Sequence, residues 1–417
     1  MVQGTGSHVG KSLLAAAICR IFAREGYRVA PFKSQNMALN SFVTREGKEM
    51  GRAQVVQAQA CGIEPTADMN PILLKPTTDV GAQVIVHGRP VGHMTVEKYV
   101  AFKPKALEAA LESLDRLVSQ YDIVVLEGAG SPAEVNLKSH DIVNMRMAEA
   151  AGAPVILVGD IDRGGVFAWL LGTLELMEKT ERKRVRGLVI NKFRGRRSLL
   201  EPGLDMLEDK TGVPVLGVVP YLQDLKVDQE DSLGIPAATS SNSPLDIRIQ
   251  VIRLPHLSNF TDFDPLGAEP DVSLGYVQNP EEINRPDLLI LPGTKNTLAD
   301  LSFLWERGFV PSIHHCLQRG GMVLGICGGF QMLGRKVLDS LGVESSLAKI
   351  EGLGLLEAVT TFSPEKVTTQ VKAIHLGFVY AEVVESSHSR QKKKIYLKPL
   401  CSLRPLINSA RISGNEV

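Results

Sequence analysis

The sequence of 417 residues lacks net charge, because 46 lysine and arginine residues balance 46 aspartate and glutamate residues. A chain without net charge does not attract nucleic acid or a membrane surface by bulk electrostatics, so we expect no nucleic-acid partner and no membrane partner. We expect a small-molecule ligand instead. The sequence also lacks any run of about 18 apolar residues that could span a bilayer. These absences predict a soluble protein.

Cysteine is scarce, and no CxxC pair is present. The sequence contains five cysteines, namely Cys19, Cys61, Cys316, Cys327 and Cys401. An odd number at wide spacing argues against both a disulfide framework and a structural zinc site. The amino terminus also shows no charged segment followed by an apolar one, as a secretory signal would. We therefore expect a reducing, cytoplasmic location.

A chain of this length is longer than one ordinary domain with a single hydrophobic core, and it predicts two domains. We place the first at residues 1–228 and the second at 247–377. The segment between them, residues 229–246, is rich in Ser, Pro, Asn and Asp, as linkers are. Residues 378–417 form a basic, polar tail without periodicity, which we leave unassigned.

Short β-branched runs alternate with helical patterns along the chain. In the first domain, strands are predicted at Tyr27–Phe32, Ile123–Glu127, Val155–Asp160 and Val185–Asn191, with helices at Ser12–Glu25 and Lys105–Gln120. In the second, strands are predicted at Ile247–Leu254, Leu288–Leu291 and Met322–Ile326, with a helix from about Gly329. This order predicts an α/β protein whose first domain is a parallel sheet covered by helices.

A glycine-rich segment that ends in Gly10-Lys11-Ser12 precedes the first helix. This ending is typical of a P-loop, in which backbone N–H groups cradle phosphates, Lys11 reaches the terminal phosphates and Ser12 can bind Mg²⁺. Because Gly4 lies one residue earlier than GxxxxGKS requires, the loop resembles the dethiobiotin-synthetase-like group, which phosphorylates carboxylates. A glycine-rich turn without a ligand is the alternative. We predict that ATP is bound by Gly4, Thr5, Gly10, Lys11 and Ser12.

Polar residues follow the later strands of the first domain. Glu127 precedes three small residues at a strand end and is a candidate second Mg²⁺ ligand. Asp160 and Arg163 follow the next strand, where they could bind metal or substrate and an anionic group, respectively. Asn191 closes a fourth strand and resembles the base-contacting residue of related nucleotide-binding folds. We predict that it contacts adenine.

A single cysteine, Cys327, lies between a strand and a helix with glycines on both sides. A nucleophile on such a turn is exposed, and the helix N-terminus favours its thiolate. Backbone N–H groups of Gly328 and of Gly293, which follows another strand, could bind an oxyanion. A buried structural cysteine is the alternative. The pattern is typical of a class I glutamine amidotransferase.

The pairing of these two sites resembles the cobyric acid synthase family over roughly residues 1–371. The strings that carry the resemblance are Phe32–Met37, Glu127–Glu134, Gly159–Gly165, Leu254–Phe263 and Gly325–Gln331. The resemblance implies ATP- and Mg²⁺-dependent amidation of four carboxylates (b, d, e and g) of adenosylcobyrinic acid a,c-diamide, a corrinoid, with ammonia from glutamine. It also implies a catalytic role for Asp141 beside Lys11 and Cys327. Substrate contacts by Lys33 and Asn36 follow from the same resemblance.

The tail departs from the family pattern. A class I amidotransferase needs a histidine base and an orienting acid, which the family carries in a Tyr-Leu-His-Gly-type segment that is missing here. The string around His375 resembles a different family segment that usually follows Tyr-Glu, and His388 has no matching context. The sequence therefore predicts an impaired glutaminase beside an intact synthetase site.

Two other functions remain open from the sequence. One is the sister amidase cobyrinic acid a,c-diamide synthase, against which the Phe32–Met37 and Leu254–Phe263 strings argue. The other is a MinD/ParA-like ATPase switch, or a scaffold without chemistry. A switch of that kind would have a second lysine early in the loop, where this chain has Thr5 and Gly6.

Overall fold

The structure, a computed structural model, describes residues 1–78, 81–222, 247–345 and 347–363. The chain divides into two compact units, Met1–Glu230 and Asp231–Val417. The predicted linker at 229–246 and the predicted tail at 378–417 lie outside the described residues.

The first unit alternates strands and helices. Its strands are β1 (Val2–Gly4), β2 (Val29–Phe32), β3 (Gln35–Met37), β4 (Ser41–Val43), β5 (Glu49–Gly51), β6 (Ile72–Thr78), β7 (Gly81–Val86), β8 (Arg89–Thr95), β9 (Ile123–Leu126), β10 (Val155–Asp160), β11 (Val185–Phe193) and β12 (Val215–Pro220). Its helices are α1 (Lys11–Arg24), α2 (Arg52–Cys61), α3 (Val96–Gln120), α4 (Met145–Ala150), α5 (Val166–Leu176), α6 (Lys179–Arg182) and α7 (Glu201–Thr211), with 3₁₀ turns at Ala67–Met69, Lys138–His140 and Arg197–Leu199.

Parallel strands form the centre of the first unit. Strands β1, β10, β11 and β12 pair in that order, and β2 pairs with β9. A parallel bridge between Val2 and Glu127 joins the two groups. The carboxyl ends of these strands meet at one edge, where open α/β sheets bind ligands. The predicted parallel sheet is confirmed, and Glu127 lies at the point where the two groups meet.

A second sheet, which the sequence analysis did not predict, has the order β3-β6-β7-β8, and β4 pairs with β5 beside it. Only the β3–β6 pair of that sheet is parallel. Nearly every residue of β8 is exposed. Such a strand shows no apolar alternation, and its sequence therefore carries no strand signal.

Helix α1 packs on the parallel sheet through a narrow apolar stripe. Ala15 and Cys19, four residues apart and therefore on one face, are fully buried. They share a cluster with Val2, Val29 and Val125, one residue from each of three neighbouring strands. This packing places the first residues of α1 above the carboxyl edge of the sheet.

Helix α3 begins nine residues before the predicted start at Lys105, at Val96. The hydroxyl oxygen of Thr95 accepts a hydrogen bond from the backbone of Lys98 and caps the helix. The helix continues through Pro104. A proline normally marks a helix boundary, which is why the sequence places the start too late.

The second unit is also α/β, as predicted. Its strands are β13 (Ile247–Ile252), β14 (Val272–Val277), β15 (Leu288–Leu291), β16 (Met322–Gly325), β17 (Lys336–Leu338), β18 (Lys349–Glu351) and β19 (Val359–Thr361). Its helices are α8 (Asp264–Gly267), α9 (Thr297–Glu306), α10 (Phe309–Gln318) and α11 (Gly328–Leu333), with 3₁₀ turns at Phe260–Phe263 and Pro280–Glu282. The order β14-β13-β15-β16 forms a parallel sheet. A smaller mixed sheet has the order β18-β17-β19, in which β17 is antiparallel to β18 and parallel to β19.

Across the described ranges, no helix combines the length and the apolar character that crossing a membrane requires.

Candidate active sites

The predicted phosphate loop joins β1 to α1. Gly10 has a φ of 99°, and a Cβ at this position would lie 2.1 Å from Nδ2 of Asn191. Only glycine fits there without strain. The ammonium group of Lys11 donates to the carbonyl oxygens of Gly6 at 2.7 Å and Gly130 at 3.1 Å. Lys11 therefore folds back over the loop that is predicted to bind phosphates.

Two consecutive residues near the end of β11, Asn191 and Lys192, anchor this loop. Nδ2 of Asn191 donates to the carbonyl of Val9 at 2.8 Å. Nζ of Lys192 donates to the carbonyl of His8 at 2.8 Å and to Oδ2 of Asp160 at 2.7 Å. The adenine contact by Asn191 stays a prediction. Sequence reasoning missed Lys192, whose role depends on a contact with a residue far away in the chain.

Asp160 and Arg163, the predicted substrate contacts, differ in exposure. Asp160 is 1% exposed and accepts a hydrogen bond from the backbone N–H of Asp162 at 2.9 Å. Nε of Arg163 lies 4.0 Å from Oδ2 of Asp160, and the arginine is mostly exposed. Beside them, Arg194 pairs with Asp162 at 2.9 Å and stacks over the Tyr221 ring at 3.4 Å from its centroid. Arg163 is therefore the more accessible of the two predicted contacts.

The carboxylate of Glu127 is buried, with 1% exposed, and is surrounded by donors. Its Oε1 accepts hydrogen bonds from the hydroxyl of Ser12 at 2.7 Å and from Nζ of Lys33 at 3.2 Å. Its Oε2 accepts from Nε2 of Gln57 at 2.6 Å and from Nε2 of Gln54 at 3.4 Å. The structure thus brings together the two predicted metal ligands, Ser12 and Glu127.

The environment of Glu127 keeps its carboxylate ionised. Burial by itself raises the pKa of this group. The positive charge of Lys33 and the hydrogen bonds from Ser12 and Gln57 act in the opposite direction. The pKa is lowered overall, so Glu127 carries its negative charge at neutral pH without contact with solvent.

Helix α2 contributes a pair of glutamines that sequence reasoning missed. Gln54 and Gln57 lie three residues apart, on one face of the helix, and both are buried. Asn36, a predicted substrate contact, donates through Nδ2 to Oε1 of Gln54 at 3.2 Å. Asn36 is therefore connected to Glu127 through Gln54. The sequence gives little signal for this pair, because α2 contains other polar residues as well.

Asp141, the predicted catalytic acid, accepts hydrogen bonds at the start of α4. Its Oδ1 accepts from the backbone N–H groups of Val143 at 2.8 Å and Asn144 at 2.9 Å, and its Oδ2 accepts from that of Arg146 at 3.1 Å. Asn144 in turn exchanges two hydrogen bonds with the backbone of Ala129, beside Glu127. Asp141 supports the small-residue segment through Asn144, and its catalytic role stays a prediction.

In the second unit, Cys327 lies on a tight turn between β16 and α11. Its φ of 49° and ψ of −113° are unusual for a residue with a side chain, and such strain is common at catalytic nucleophiles. The cysteine is exposed. A Cβ on Gly329 would lie 2.0 Å from the carbonyl oxygen of Leu291, so α11 packs directly on the backbone of β15. The turn has the geometry that the sequence predicts for a nucleophile.

The two predicted oxyanion glycines both adjoin this cysteine. A Cβ built on Gly293 would lie 3.7 Å from Cβ of Cys327. Gly328 is the first residue of α11, where the backbone N–H has no acceptor within the helix. The oxyanion role of these N–H groups stays a prediction, and the described geometry is compatible with it.

The loop that carries Gly293 is anchored by a fully buried carboxylate, Asp300. Asp300 accepts hydrogen bonds from Nδ1 of His256 at 2.7 Å and from the backbone N–H of His256 at 3.2 Å. It also accepts one from the hydroxyl of Thr294, the residue after Gly293. Sequence reasoning missed this pair, because His256 and Asp300 are far apart in the chain.

A second carboxylate, that of Glu344, is partly buried and lies at the start of α9. Its Oε2 accepts a hydrogen bond from the backbone N–H of Thr297 at 2.7 Å, and the Thr297 hydroxyl contacts Oε1 of Gln331 at 3.2 Å. Burial raises the pKa of Glu344 to about 7, and the opposing contributions of Thr297 and Lys295 only partly offset it. Glu344 therefore titrates near neutral pH. The predicted candidates for the glutaminase base, His375 and His388, lie outside the described residues.

Two family models match the chain. The CobQ/CobB/MinD/ParA nucleotide binding domain matches residues 1–233, and the CobB/CobQ-like glutamine amidotransferase domain matches residues 248–405. The second match continues past residue 377, where the sequence analysis ends the second domain.

Curated relatives match most of the chain. Cobyric acid synthase from Dehalococcoides mccartyi (strain ATCC BAA-2266 / KCTC 15142 / 195) is 54% identical over 89% of this chain and 73% of its own length. Cobyric acid synthase from Desulfitobacterium hafniense (strain DSM 10664 / DCB-2) is 55% identical over 90% of this chain and 75% of its own length. That from Alkaliphilus metalliredigens (strain QYMF) is 55% identical over 92% of this chain and 76% of its own length.

Among solved structures, the signal recognition particle 54 kDa protein from Aeropyrum pernix K1 in complex with GDP is 17% identical. The alignment covers 53% of this chain and 41% of that chain, with a TM-score of 0.31, which is too low to support an argument. The conclusion depends on the family models and the curated relatives. They show that the chain belongs to the cobyric acid synthase family of glutamine-hydrolysing ligases.

Proposed function

We propose that the protein converts adenosylcobyrinic acid a,c-diamide to adenosylcobyric acid by ATP-dependent amidation of the b, d, e and g carboxylates, with ammonia from glutamine. The names of the curated relatives support the corrinoid product and the nucleotide-binding family model supports ATP. The observation that carries the proposal is the contact of Ser12 and Lys33 with one buried carboxylate, Glu127, beside the phosphate loop.

The synthetase reaction needs activation because ammonia does not displace oxygen from a carboxylate. A corrinoid carboxylate oxygen attacks the γ-phosphorus of ATP, ADP leaves, and an acyl phosphate forms. Lys11 offsets the charge of the transferring phosphoryl group. Ammonia then attacks the acyl carbon, phosphate leaves with the bonding electrons, and a proton is lost to give the amide.

The residues of the first site fit a magnesium ion. Magnesium prefers hard oxygen ligands, and the hydroxyl of Ser12 lies 2.7 Å from the ionised carboxylate of Glu127. When bound, magnesium would neutralise part of the phosphate charge. Lys33 supplies a second positive charge at the same carboxylate oxygen, at 3.2 Å.

The glutaminase reaction uses the second unit. The thiolate of Cys327 attacks the side-chain amide of glutamine, and backbone N–H groups of Gly293 and Gly328 stabilise the oxyanion. The amide nitrogen takes up the proton that the thiol has lost and leaves as ammonia, and water then hydrolyses the remaining thioester to glutamate. The ammonia released here is the nitrogen source for the synthetase reaction.

The experiment supplies purified protein with ATP, magnesium and the corrinoid diamide, and either ammonium or glutamine as nitrogen source. Lys11→Ala should abolish amidation with both sources, because the loop loses the ammonium group that reaches the terminal phosphates. Arg20→Ala, an exposed change on the same helix, is the control and should retain both activities. Activity of Lys11→Ala near the wild-type rate would refute the phosphate-loop assignment.

Cys327→Ser separates the two reactions. It should remove any glutamine-dependent amidation and leave the ammonium-dependent reaction intact, because the thiol serves only the supply of ammonia. Equal loss of both activities would show instead that Cys327 supports the fold.

A further inference from the structure

The side-chain amide of Gln57 lies between the phosphate loop and Glu127. Its Nε2 donates to Oε2 of Glu127 at 2.6 Å and to the backbone carbonyl oxygen of Ser12 at 3.3 Å. A backbone carbonyl oxygen can only accept hydrogen bonds, so the amide nitrogen must face Ser12. This requirement fixes the orientation of the amide, and its oxygen forms a hydrogen bond with neither group.

The oxygen of this amide has no donor in the described part of the chain. Gln57 is 1% exposed, so solvent does not reach it either. Four buried side-chain atoms of the described residues share this property, namely Oε1 of Gln3, Gln57 and Gln83 and Oγ1 of Thr5. A buried acceptor without a donor costs free energy and calls for an explanation. Gln57 is the member of this set whose amide touches both Ser12 and Glu127.

Gln54, one turn earlier on α2, differs from Gln57 in that both ends of its amide group have hydrogen-bond partners. Its Nε2 donates to the same Oε2 of Glu127 at 3.4 Å, but its Oε1 accepts a hydrogen bond from Asn36 at 3.2 Å. The same helix face thus presents one amide with both ends paired and one amide with a spare acceptor. The amide that carries the spare acceptor contacts Glu127 and the backbone of Ser12, the two residues proposed to bind magnesium.

We propose that Gln57 is a positioning residue of the magnesium site. Its Nε2 holds Oε2 of Glu127 in place, and its Oε1 accepts a hydrogen bond from a water molecule on the metal. Magnesium in nucleotide sites usually keeps several waters, and groups that orient its ligands tune its affinity. The inference rests on the proposed use of magnesium and ATP by this site.

The test measures binding of ATP by isothermal titration calorimetry, first without metal and then across a magnesium titration. Gln57→Met keeps the side-chain length and removes both polar contacts. We expect the apparent magnesium affinity to fall roughly 10- to 100-fold and metal-free binding of ATP to fall by much less. Gln59→Met, an exposed change on the same helix, is the matched control and should leave both affinities unchanged.

Gln57→Glu separates the acceptor from the donor. It retains an acceptor oxygen at the same distance from the backbone but loses the amide donor to Glu127, so the loss of magnesium affinity should be clearly smaller than that of Gln57→Met. A loss as large as that of Gln57→Met would overturn the acceptor role. The proposal also falls if Gln57→Met titrates magnesium normally, or if it loses metal-free ATP binding to the same extent.

The outcomes distinguish this inference from the proposed function, because the titration requires no corrinoid turnover. A wild-type protein that binds ATP with magnesium but amidates nothing would refute the proposed function. The inference would still stand if Gln57→Met lost the response to magnesium. Binding of ATP by the wild-type protein without any response to magnesium would refute the inference.

Discussion

Replacing Glu344 with Gln should make the second unit more stable above pH 7 than it is in the wild-type protein. Burial raises the pKa of Glu344 from 4.5 to about 7. Between these pH values the folded unit keeps a proton that the unfolded chain releases, so the free energy of unfolding falls as pH rises. Below pH 4.5 the carboxyl group is protonated in both states and has no such effect.

The expected magnitude follows from the change in pKa. A pKa raised from 4.5 to about 7 costs the folded unit about 3 kcal/mol once Glu344 is fully ionised. The glutamine introduced by Glu344→Gln carries no charge, and its amide oxygen can still accept the hydrogen bond from Thr297. The difference in unfolding free energy should therefore grow in favour of the variant from pH 5 to pH 7.

The assay uses the two tryptophans of the chain, Trp169 in the first unit and Trp305 in the second. In a Trp169→Phe background, fluorescence of Trp305 during urea unfolding reports on the second unit alone. Glu282→Gln is the control, because hydrogen bonds from the Gln278 backbone and Asn279 lower the pKa of Glu282. Its titration lies below pH 4.5, so its effect on stability should be constant between pH 5 and 8. A constant effect of Glu344→Gln over that range would refute the reasoning.

Two further predictions concern the amidotransferase unit. Gly329→Ala should lower the urea midpoint of that unit, because the added Cβ would lie 2.0 Å from the Leu291 carbonyl oxygen. Gly267→Ala meets only the flexible tip of Leu274 at 3.2 Å and should have a small effect on the same midpoint. We expect the sequence given to hydrolyse glutamine very slowly in a glutamate-release assay and still to accept ammonia, because no Tyr-Leu-His-Gly-type segment occurs in its 417 residues. An ordinary rate that His375→Ala or His388→Ala removes would show that the tail supplies the base.

The sequence predicts the sites best where a polar residue ends a buried strand. Glu127 and Cys327 each follow a short strand, and Lys11 begins a helix after a glycine-rich loop; this local order is what made them candidates. The parallel order of the strands then brings the residues of the first site together at one edge of the sheet. The local order of strands, loops and helices in the sequence therefore predicts both the fold class and the main candidate residues of each site.

The residues that sequence reasoning missed act through long-range contacts. Gln57 contacts Glu127, 70 residues away, and His256 contacts Asp300, 44 residues away. Neither pair leaves a periodic signal, because each partner alone resembles an ordinary polar residue of a helix or loop. Strand β8 was missed for a different reason, since its exposed residues remove the apolar alternation that marks a strand.

The anchoring of the phosphate loop by β11 has a consequence for folding. The carbonyl groups of Val9 and His8 are held by Asn191 and Lys192, which lie 182 and 184 residues later in the chain. Contacts between residues so far apart in the sequence form late in folding. Closing the long intervening loop costs conformational entropy, and the stabilisation by the contact follows only after the loop has closed. During synthesis the loop leaves the ribosome long before its anchors do. The ability to bind nucleotide should therefore appear only when β11 has joined the sheet, and it would report completion of the first unit.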